Sequence, residues 1–222
     1  MANDVAIVMN APSVNELLNA YVNGVFPMAD PDGSIYWYSP NLRAVIPIYE
    51  FKPSRSLRPY INQKRFEVKI NADFEGTMRE CAKPRIDAND TWISEELIDS
   101  YTALHKKGFA HSIETYQEGK LVGGLYGVAI GAAFFGESMF HTSSNASKVA
   151  FYYLIEILKK RNYQLLDSQF INDNVARYGA IEIPKATYEQ ELIEAVKERI
   201  VFTNERRPYE IEELLSEEVR QF

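Results

Sequence analysis

A single cysteine, Cys81, among 222 residues excludes an intramolecular disulfide. The fold must rest on its core, a reducing compartment fits, and Cys81 reads as a small buried apolar residue. No apolar run approaches the roughly twenty residues that span a bilayer. The opening MANDVAIVMNAP has no basic stretch ahead of a long apolar core, so it lacks the marks of a secretory signal. A soluble, cytoplasmic protein with no membrane partner is expected. The three histidines are scattered, no Cys and His spacing suggests zinc, and no acid cluster matches a calcium loop, so no metal is expected. Neither a G-x-G-x-x-G string nor a P-loop occurs, and GESMF is not the G-x-S-x-G nucleophile elbow. Positive charge is also short: the net charge of −7 argues against a generic nucleic-acid binder, whose affinity comes from Lys and Arg on phosphates.

What charge there is lies segregated. Residues 51–66 read FKPSRSLRPYINQKRF, with Lys52, Arg55, Arg58, Lys64 and Arg65 and no acid. Such a run is either a solvated face or a phosphate-binding one. After Pro208 the chain turns acidic, with Glu210, Glu212, Glu213, Glu217 and Glu218, which suggests a solvated end helix.

The length fits one large domain, or a main domain with a small partner. Ser13 and Glu16 form a capping-box pattern, Leu17, Leu18 and Tyr21 recur at helical spacing, and Gly24 is placed to end that helix. FPMADPDGSIYWYSPNLRAVIPI reads as short strands joined by turns, closing a small N-terminal unit near Arg43. FEVKIN predicts a strand and DFEGTMRECAK a helix. Ser94 opens a second helix with apolar face Leu97, Ile98, Tyr101 and Leu104, stopped by Gly108, with His105 on its surface. HSIETYQ, KLVGGLYGVAI and AAFFGESMFH form an antiparallel meander. NASKVAFYYLIEILKKR predicts an amphipathic helix, QLLDSQF a buried strand, and Thr187 with Gln190 another capping box. The order of elements points to an α+β fold with a mostly antiparallel sheet.

Two acids stand out. Side chains alternate along a strand, so in LLDSQFI the residues Leu165, Asp167, Gln169 and Ile171 share a face. Asp in an apolar strand is costly unless satisfied. It is either a structural acid accepting backbone hydrogen bonds or part of a site. In FFGESMF the same alternation groups Phe135, Glu137 and Met139. Two such acids could converge in a cleft that attracts a cationic group and accepts a proton. Gly123, Gly124, Gly127 and Gly131 suggest close backbone approach or bulges rather than a phosphate cradle.

The strings AYVNGVFP, WYSPNLRAVIP, TWI, LHKKGFAHSIE, LVGGLYGVAIG, FFGESMF, NASK, LLDSQFIND and GAIEIP, in this order, resemble the bacterial leucyl/phenylalanyl-tRNA-protein transferases. The resemblance implies a small N-terminal domain (1–44) and a GNAT-like catalytic domain (45–222). It implies aminoacyl-tRNA as co-substrate with no other cofactor, and transfer of Leu or Phe, sometimes Met, to proteins beginning with Arg or Lys, which marks them for degradation. In agreement, the acetyl-CoA loop Arg/Gln-x-x-Gly-x-Gly/Ala occurs nowhere in the chain.

Carried onto this sequence, the resemblance makes Asp167, acting through Gln169, the pair that orients the attacking amine. Glu137 becomes the partner of the acceptor's cation, and Asn172 a hydrogen-bonding residue for the ester end or the amine. Leu125, Phe134 and Met139 become a pocket for the donor side chain, with core packing as the alternative. Trp92 matches a tryptophan that stacks on the terminal adenine, and the residues from Lys52 to Arg65 become candidates for the tRNA stem.

Three departures stand beside the matches. A GGDLS-like string before the first helix is replaced by APSVNELL, Met28 stands where many relatives carry an aromatic, and Asn174 replaces a histidine. Two competing readings keep the fold. One is a Fem-like or other GNAT-like N-acyltransferase with a different amine acceptor; the other is a non-catalytic relative that binds tRNA ends or N-terminal Arg.

Overall fold

The computed structural model describes residues 6–8, 11–30, 32–84 and 91–218. The N-terminal elements are β1 (Ala6–Val8), α1 (Val14–Val22), β2 (Phe26–Ala29), β3 (Ile35–Tyr38) and β4 (Leu42–Val45). Then come α2 (Arg58–Asn62), β5 (Glu67–Ile70), α3 (Phe74–Cys81), α4 (Glu95–Lys106), β6 (Ala110–Gln117), β7 (Lys120–Ile130) and β8 (Ala133–His141). The chain continues through α5 (Ala146–Lys160), β9 (Leu165–Asp167), α6 (Asp173–Ala176), β10 (Ile181–Pro184), α7 (Lys185–Lys197), β11 (Tyr209–Glu210) and α8 (Ile211–Ser216).

Local chemistry sets many of these elements. The Ser13 backbone N–H donates to Glu16 Oε2 at 2.8 Å and the Glu16 N–H to Ser13 Oγ at 3.3 Å, which closes the expected capping box on α1. Gly24 follows at φ +72°, where a side chain would be strained. Ser94 caps α4 through the Leu97 N–H. Glu118 and Gly119, at φ 53° and 73°, make the two-residue turn that matches the twist of β6 and β7.

Among the described residues the strands form a sheet of order β1-β3-β2 and an eight-stranded sheet of order β10-β4-β9-β8-β7-β6-β5-β11. Neighbours in the larger sheet are antiparallel except β8 and β9, which run parallel and are joined by the α5 crossover. The fold is therefore α+β with a mostly antiparallel sheet. Helices cover both faces. Tyr21, Met78, Leu97 and Leu192 from α1, α3, α4 and α7 pack on Tyr126 and Phe135. On the other face Leu154, Ile155 and Leu214 from α5 and α8 pack with Leu125, Phe134 and Leu166. Each such aliphatic side chain contributes about 1.5–3 kcal/mol on full burial. No helix among the described residues is long and apolar enough to cross a membrane.

Several elements differ from expectation. β9 ends at Asp167, because Ser168 and Gln169 turn away from strand geometry, with Gln169 at φ 64°. α7 starts at Lys185 behind Pro184, whose extended backbone begins the helix without a side-chain cap, so the Thr187 and Gln190 box does not form. His105 is only half-exposed: its ring stacks parallel on Phe74 at 4.4 Å and its Nδ1 meets the Ala110 carbonyl at 2.8 Å. The acidic tail is not simply solvated, since α8 buries Ile211 and Leu214 while β11 pairs with β5. The expected division at residue 44 falls inside β4, a strand of the larger sheet.

Gly127 lies where β7 passes closest to its neighbours: a Cβ there would sit 2.4 Å from both the Phe134 ring and the Phe135 carbonyl oxygen. Gly127→Ala is expected to lower stability in urea by about 1–3 kcal/mol. Gly136→Ala, whose Cβ would meet only the Asp167 carbonyl at 3.5 Å, should be near neutral.

Candidate active site

Glu137 owes its position to a bulge. Tyr126 and Gly127 are consecutive on β7, but they pair with Ser138 and Gly136 on β8, which leaves Glu137 as the extra residue. The bulge breaks the expected alternation. Phe135 packs on Tyr21 at 4.8 Å in one core, while Met139 pairs with Leu125 and packs against the other. Glu137 Oε1 accepts from the Tyr21 hydroxyl at 2.7 Å and from Gln169 Nε2 at 3.0 Å, and Oε2 lies 3.4 Å from the Tyr101 hydroxyl. Tyr21 and Tyr101 also hydrogen-bond each other. Each hydroxyl carries one proton, so Tyr101 donates to Tyr21 and Tyr21 to Glu137. Burial pushes the Glu137 carboxyl up to about 7; the Tyr21 and Gln169 bonds oppose that rise and the Asp167 charge adds to it. Both tyrosines are held well above their ordinary value, by burial first and the Glu137 charge second.

Asp167 is fully buried at the end of β9, and its partners fill its carboxylate. Arg43 Nε donates to Oδ1 at 2.9 Å and Oδ2 at 3.0 Å, and Arg43 Nη2 reaches Oδ2 at 2.6 Å. The Tyr188 hydroxyl donates to Oδ2 at 2.6 Å and the Gln169 backbone N–H to Oδ1 at 2.8 Å. Arg43 Nη1 donates to the Gly24 carbonyl at 3.1 Å, and its guanidinium lies between the rings of Phe26 and Tyr188 at 4.5 and 4.6 Å. Burial works against the Arg43 charge, but the Asp167 carboxylate overcomes it and raises the pKa. Asp167 thus has no oxygen exposed for a substrate. It reaches the site through Gln169, whose left-handed backbone it pins and whose amide that backbone aims at Glu137.

A cavity of about 310 Å³ opens over these groups. Glu137, Gln169, Asn172 and Asn174 supply polar wall; Leu125, Met139, Phe151 and Leu154 supply one apolar wall; Phe26, Met28 and Trp92 face it from the N-terminal side. Of the three residues expected to form a donor pocket, Leu125 and Met139 line this cavity. Phe134 is not among the lining residues, because its position on β8 carries it into the core, 5.3 Å from Phe202. Asn172 caps α6 with its Oδ1, accepting from the Asn174 and Val175 N–H groups at 2.9 and 3.1 Å, so its amide NH2 is what remains. Met28 and Asn174, the two departures from the resemblance, both line the cavity.

Lys52, Arg55, Arg58, Lys64 and Arg65 are exposed and none lines the cavity. Lys64 pairs with Glu212 at 2.6 Å and Arg65 covers the Tyr60 ring at 4.6 Å. The segment approaches the site through Phe51, whose ring lies 5.3 Å from that of Phe151.

Arg43, Tyr21, Tyr101 and Tyr188 were not among the expected site residues. Arg43 carried a readable signal: an arginine inside LRAVI is as misplaced as Asp167 inside LLDSQF, and two opposite charges in apolar strands imply one another. The tyrosines sit at helical core spacing, where nothing separates them from packing residues.

Glu114 on β6 is a second buried carboxylate. Its Oε1 accepts from Ser112 Oγ at 2.5 Å and from the Asp73 N–H at 3.2 Å, its Oε2 has no hydrogen-bond partner among the described residues, and burial pushes its carboxyl up to about 7. For Glu114 and Glu137 the folded pKa lies above the ordinary 4.5, so between 4.5 and 7 the folded chain keeps protons that the unfolded chain has released. Their effect on stability is therefore least unfavourable below 4.5 and worsens as pH rises to 7. The urea midpoint is expected to fall from pH 5 to pH 8, and Glu114→Gln to recover about 1–2 kcal/mol at pH 8 but little at pH 5. Asp167→Asn leaves the Arg43 charge buried without its counter-ion and should cost about 3–5 kcal/mol.

The family model for leucyl/phenylalanyl-tRNA protein transferase matches residues 45–193, and that for the N-terminal domain of the same enzymes matches residues 10–41. A leucyl/phenylalanyl-tRNA–protein transferase of Chlorobaculum tepidum is 50% identical over 190 residues, 85% of this chain and 98% of that protein. One from Chlorobium limicola is 49% identical with the same coverage. One from Pseudoalteromonas atlantica is 44% identical over 83% of this chain and 79% of its own. Among solved structures, the L-PGS of Bacillus licheniformis overlaps 69% of this chain and 51% of its own at 11% identity and a TM-score of 0.39, too loosely to argue from. On the family matches and the identity to curated relatives, the chain belongs to the leucyl/phenylalanyl-tRNA protein transferase family and is an aminoacyltransferase that moves an aminoacyl group from tRNA to protein.

Proposed function

We propose that this aminoacyltransferase moves Leu or Phe, with Met as a further donor, onto the N-terminal α-amine of proteins that begin with Arg or Lys and so marks them for degradation. The observation that carries this reading is Glu137: a partly buried carboxylate, fixed by Tyr21 and Gln169, in a cavity with a continuous apolar wall. A carboxylate in that setting is the natural partner of a guanidinium or ammonium group. The apolar wall of Leu125, Met139, Phe151 and Leu154 suits a side chain read by size and greasiness rather than polar detail. Trp92, in the cavity wall, offers a face for the terminal adenine, and the exposed basic segment begins beside Phe51, whose ring lies 5.3 Å from that of the wall residue Phe151.

The reaction is aminolysis of an ester. The amine nitrogen bonds to the carbonyl carbon, the bond from that carbon to the ribose oxygen breaks, the amine loses a proton and the ribose oxygen gains one. No covalent enzyme intermediate is needed. Gln169 gives its amide N–H to Glu137, which leaves its Oε1 to accept from the attacking amine. Asp167 acts as a positioning residue for Gln169, and Asn172 offers its NH2 to the ester oxygen. Holding a neutral amine at the activated carbonyl in this way supplies most of what the reaction requires.

The test incubates labelled Leu-tRNA or Phe-tRNA with peptides that differ only in an N-terminal Arg, Lys or Ala. Label is expected on the Arg and Lys peptides. Equal labelling of the Ala peptide would remove the acceptor assignment, and no labelling at all would remove the reading. Glu137→Gln should raise KM for the Arg peptide about tenfold or more while changing kcat less. In the wild type that KM should fall from pH 6 to pH 8 as Glu137 ionises near 7. Gln169→Ala should lower kcat. A reporter protein with an N-terminal Arg should be short-lived only in cells holding the active enzyme.

A further inference from the structure

A second cavity, of about 270 Å³, lies between the end of α4 and the chain at residues 203–208. Its wall carries Lys106, Arg206 and Arg207 and no acid. Arg207 is committed to Glu205 at 2.8 Å and to Glu213, and stacks on Tyr209 at 4.1 Å. Lys106 and Arg206 have no ion pair or hydrogen bond among the described residues, and the Thr203 hydroxyl, also in the wall, has no partner there. The two histidines supply shape rather than charge. His111 is buried, with Asn71 Nδ2 at 3.1 Å from Nδ1 and the Gly108 carbonyl at 3.2 Å from Nε2. His105 is stacked on Phe74. Gly108 makes room for the guanidinium: a Cβ there would lie 2.9 Å from Arg206 Nε.

From this arrangement we propose that the cavity binds a phosphate group, presented either by RNA or by a small phosphorylated compound. Unpaired cations in a concave, acid-free wall on a chain of net charge −7 are the chemistry that selects an anion from a surface that otherwise repels it. The site straddles the end of the family match: Asn71, His105, Lys106, Gly108 and His111 lie within residues 45–193. Thr203, Arg206 and Arg207 lie beyond residue 193, where the family match ends. The Chlorobaculum tepidum relative is matched over 98% of its length by 190 residues of this chain. The segment beyond residue 193 is fixed. Phe202 is buried against His111 at 4.6 Å, β11 pairs with β5, and Arg161 holds Glu217 at 3.0 Å. The backbone that presents Arg206 and Arg207 is therefore held against the rest of the fold.

The competing account is that Lys106 and Arg206 merely complement the negative end of the α4 dipole. Titration of inorganic phosphate into the full-length enzyme by calorimetry, against chloride at matched ionic strength, separates the two. Phosphate should bind, and Lys106→Gln with Arg206→Gln should weaken it about tenfold or more. The charge-keeping pair Lys106→Arg with Arg206→Lys should restore it. If phosphate does not bind, or if the Gln pair lowers the urea midpoint while phosphate affinity is unchanged, the proposal falls. Two further arms name the source. For RNA, the Gln pair should weaken tRNA binding and reduce the slope of log K against log salt by about one. For a small compound, ADP binding should be lost and tRNA binding unchanged.

Discussion

The buried ion pair between Arg43 and Asp167 is the constraint on which the site depends. Taking two charges out of water is expensive, and close geometry and further hydrogen bonds are what recover that cost. Both are present: three short contacts join the pair, Tyr188 and the Gln169 N–H complete the carboxylate, and the Gly24 carbonyl and two aromatic faces complete the guanidinium. These partners come from α7, the turn after β9, the end of α1, and β2. One pair thus fixes four segments, and the last of them in this chain of contacts is Gln169, whose amide holds Glu137.

The sheet supplies the second requirement, an opening at the right place. β8 and β9 are the parallel pair in an otherwise antiparallel sheet, registered from Ala133 to Phe135 and no further. Beyond that register β8 continues through the bulge at Glu137 while the other chain turns at Ser168. The two strands part where Glu137 and Gln169 stand, and the cavity occupies the gap. That gap holds one carboxylate raised toward 7 by burial and one amide whose oxygen has no partner among the described residues.

Elements set by near neighbours were legible in the sequence: the Ser13 and Glu16 box, the Ser94 cap, the Glu118 and Gly119 turn, and the apolar face of α5. So were the two acids, because a charge in an apolar strand is conspicuous without knowledge of its partner. The bulge and the early end of β9 were not, since each is a matter of register between strands and leaves no mark on either strand alone. The expected sharing of a face by Phe135, Glu137 and Met139 failed for that reason, and Phe134 was assigned to the pocket when its place on the strand puts it in the core. The roles given to Asp167, Gln169 and Asn172 follow from resemblance; the structure adds that the Asp167 carboxylate is filled by its own partners and touches the cavity side chains only by way of Gln169. Tyr21, Tyr101 and Tyr188 stayed hidden because a hydroxyl on a core-spaced ring looks like packing until its acceptor is known.

Tyr21 gives the site a property of timing. It lies on the first full helix, yet the groups it serves, Glu137 and through it Gln169, come more than a hundred residues later, and the Tyr188 that seals the ion pair comes later still. A ribosome making this chain releases the N-terminal unit long before that unit has anything to grip. Until α7 emerges, Arg43 has only part of its cage and Glu137 stands on an unfinished wall. The candidate cleft is thus closed by nearly the last of the core elements to be synthesised, when α7 packs against α1 and β9.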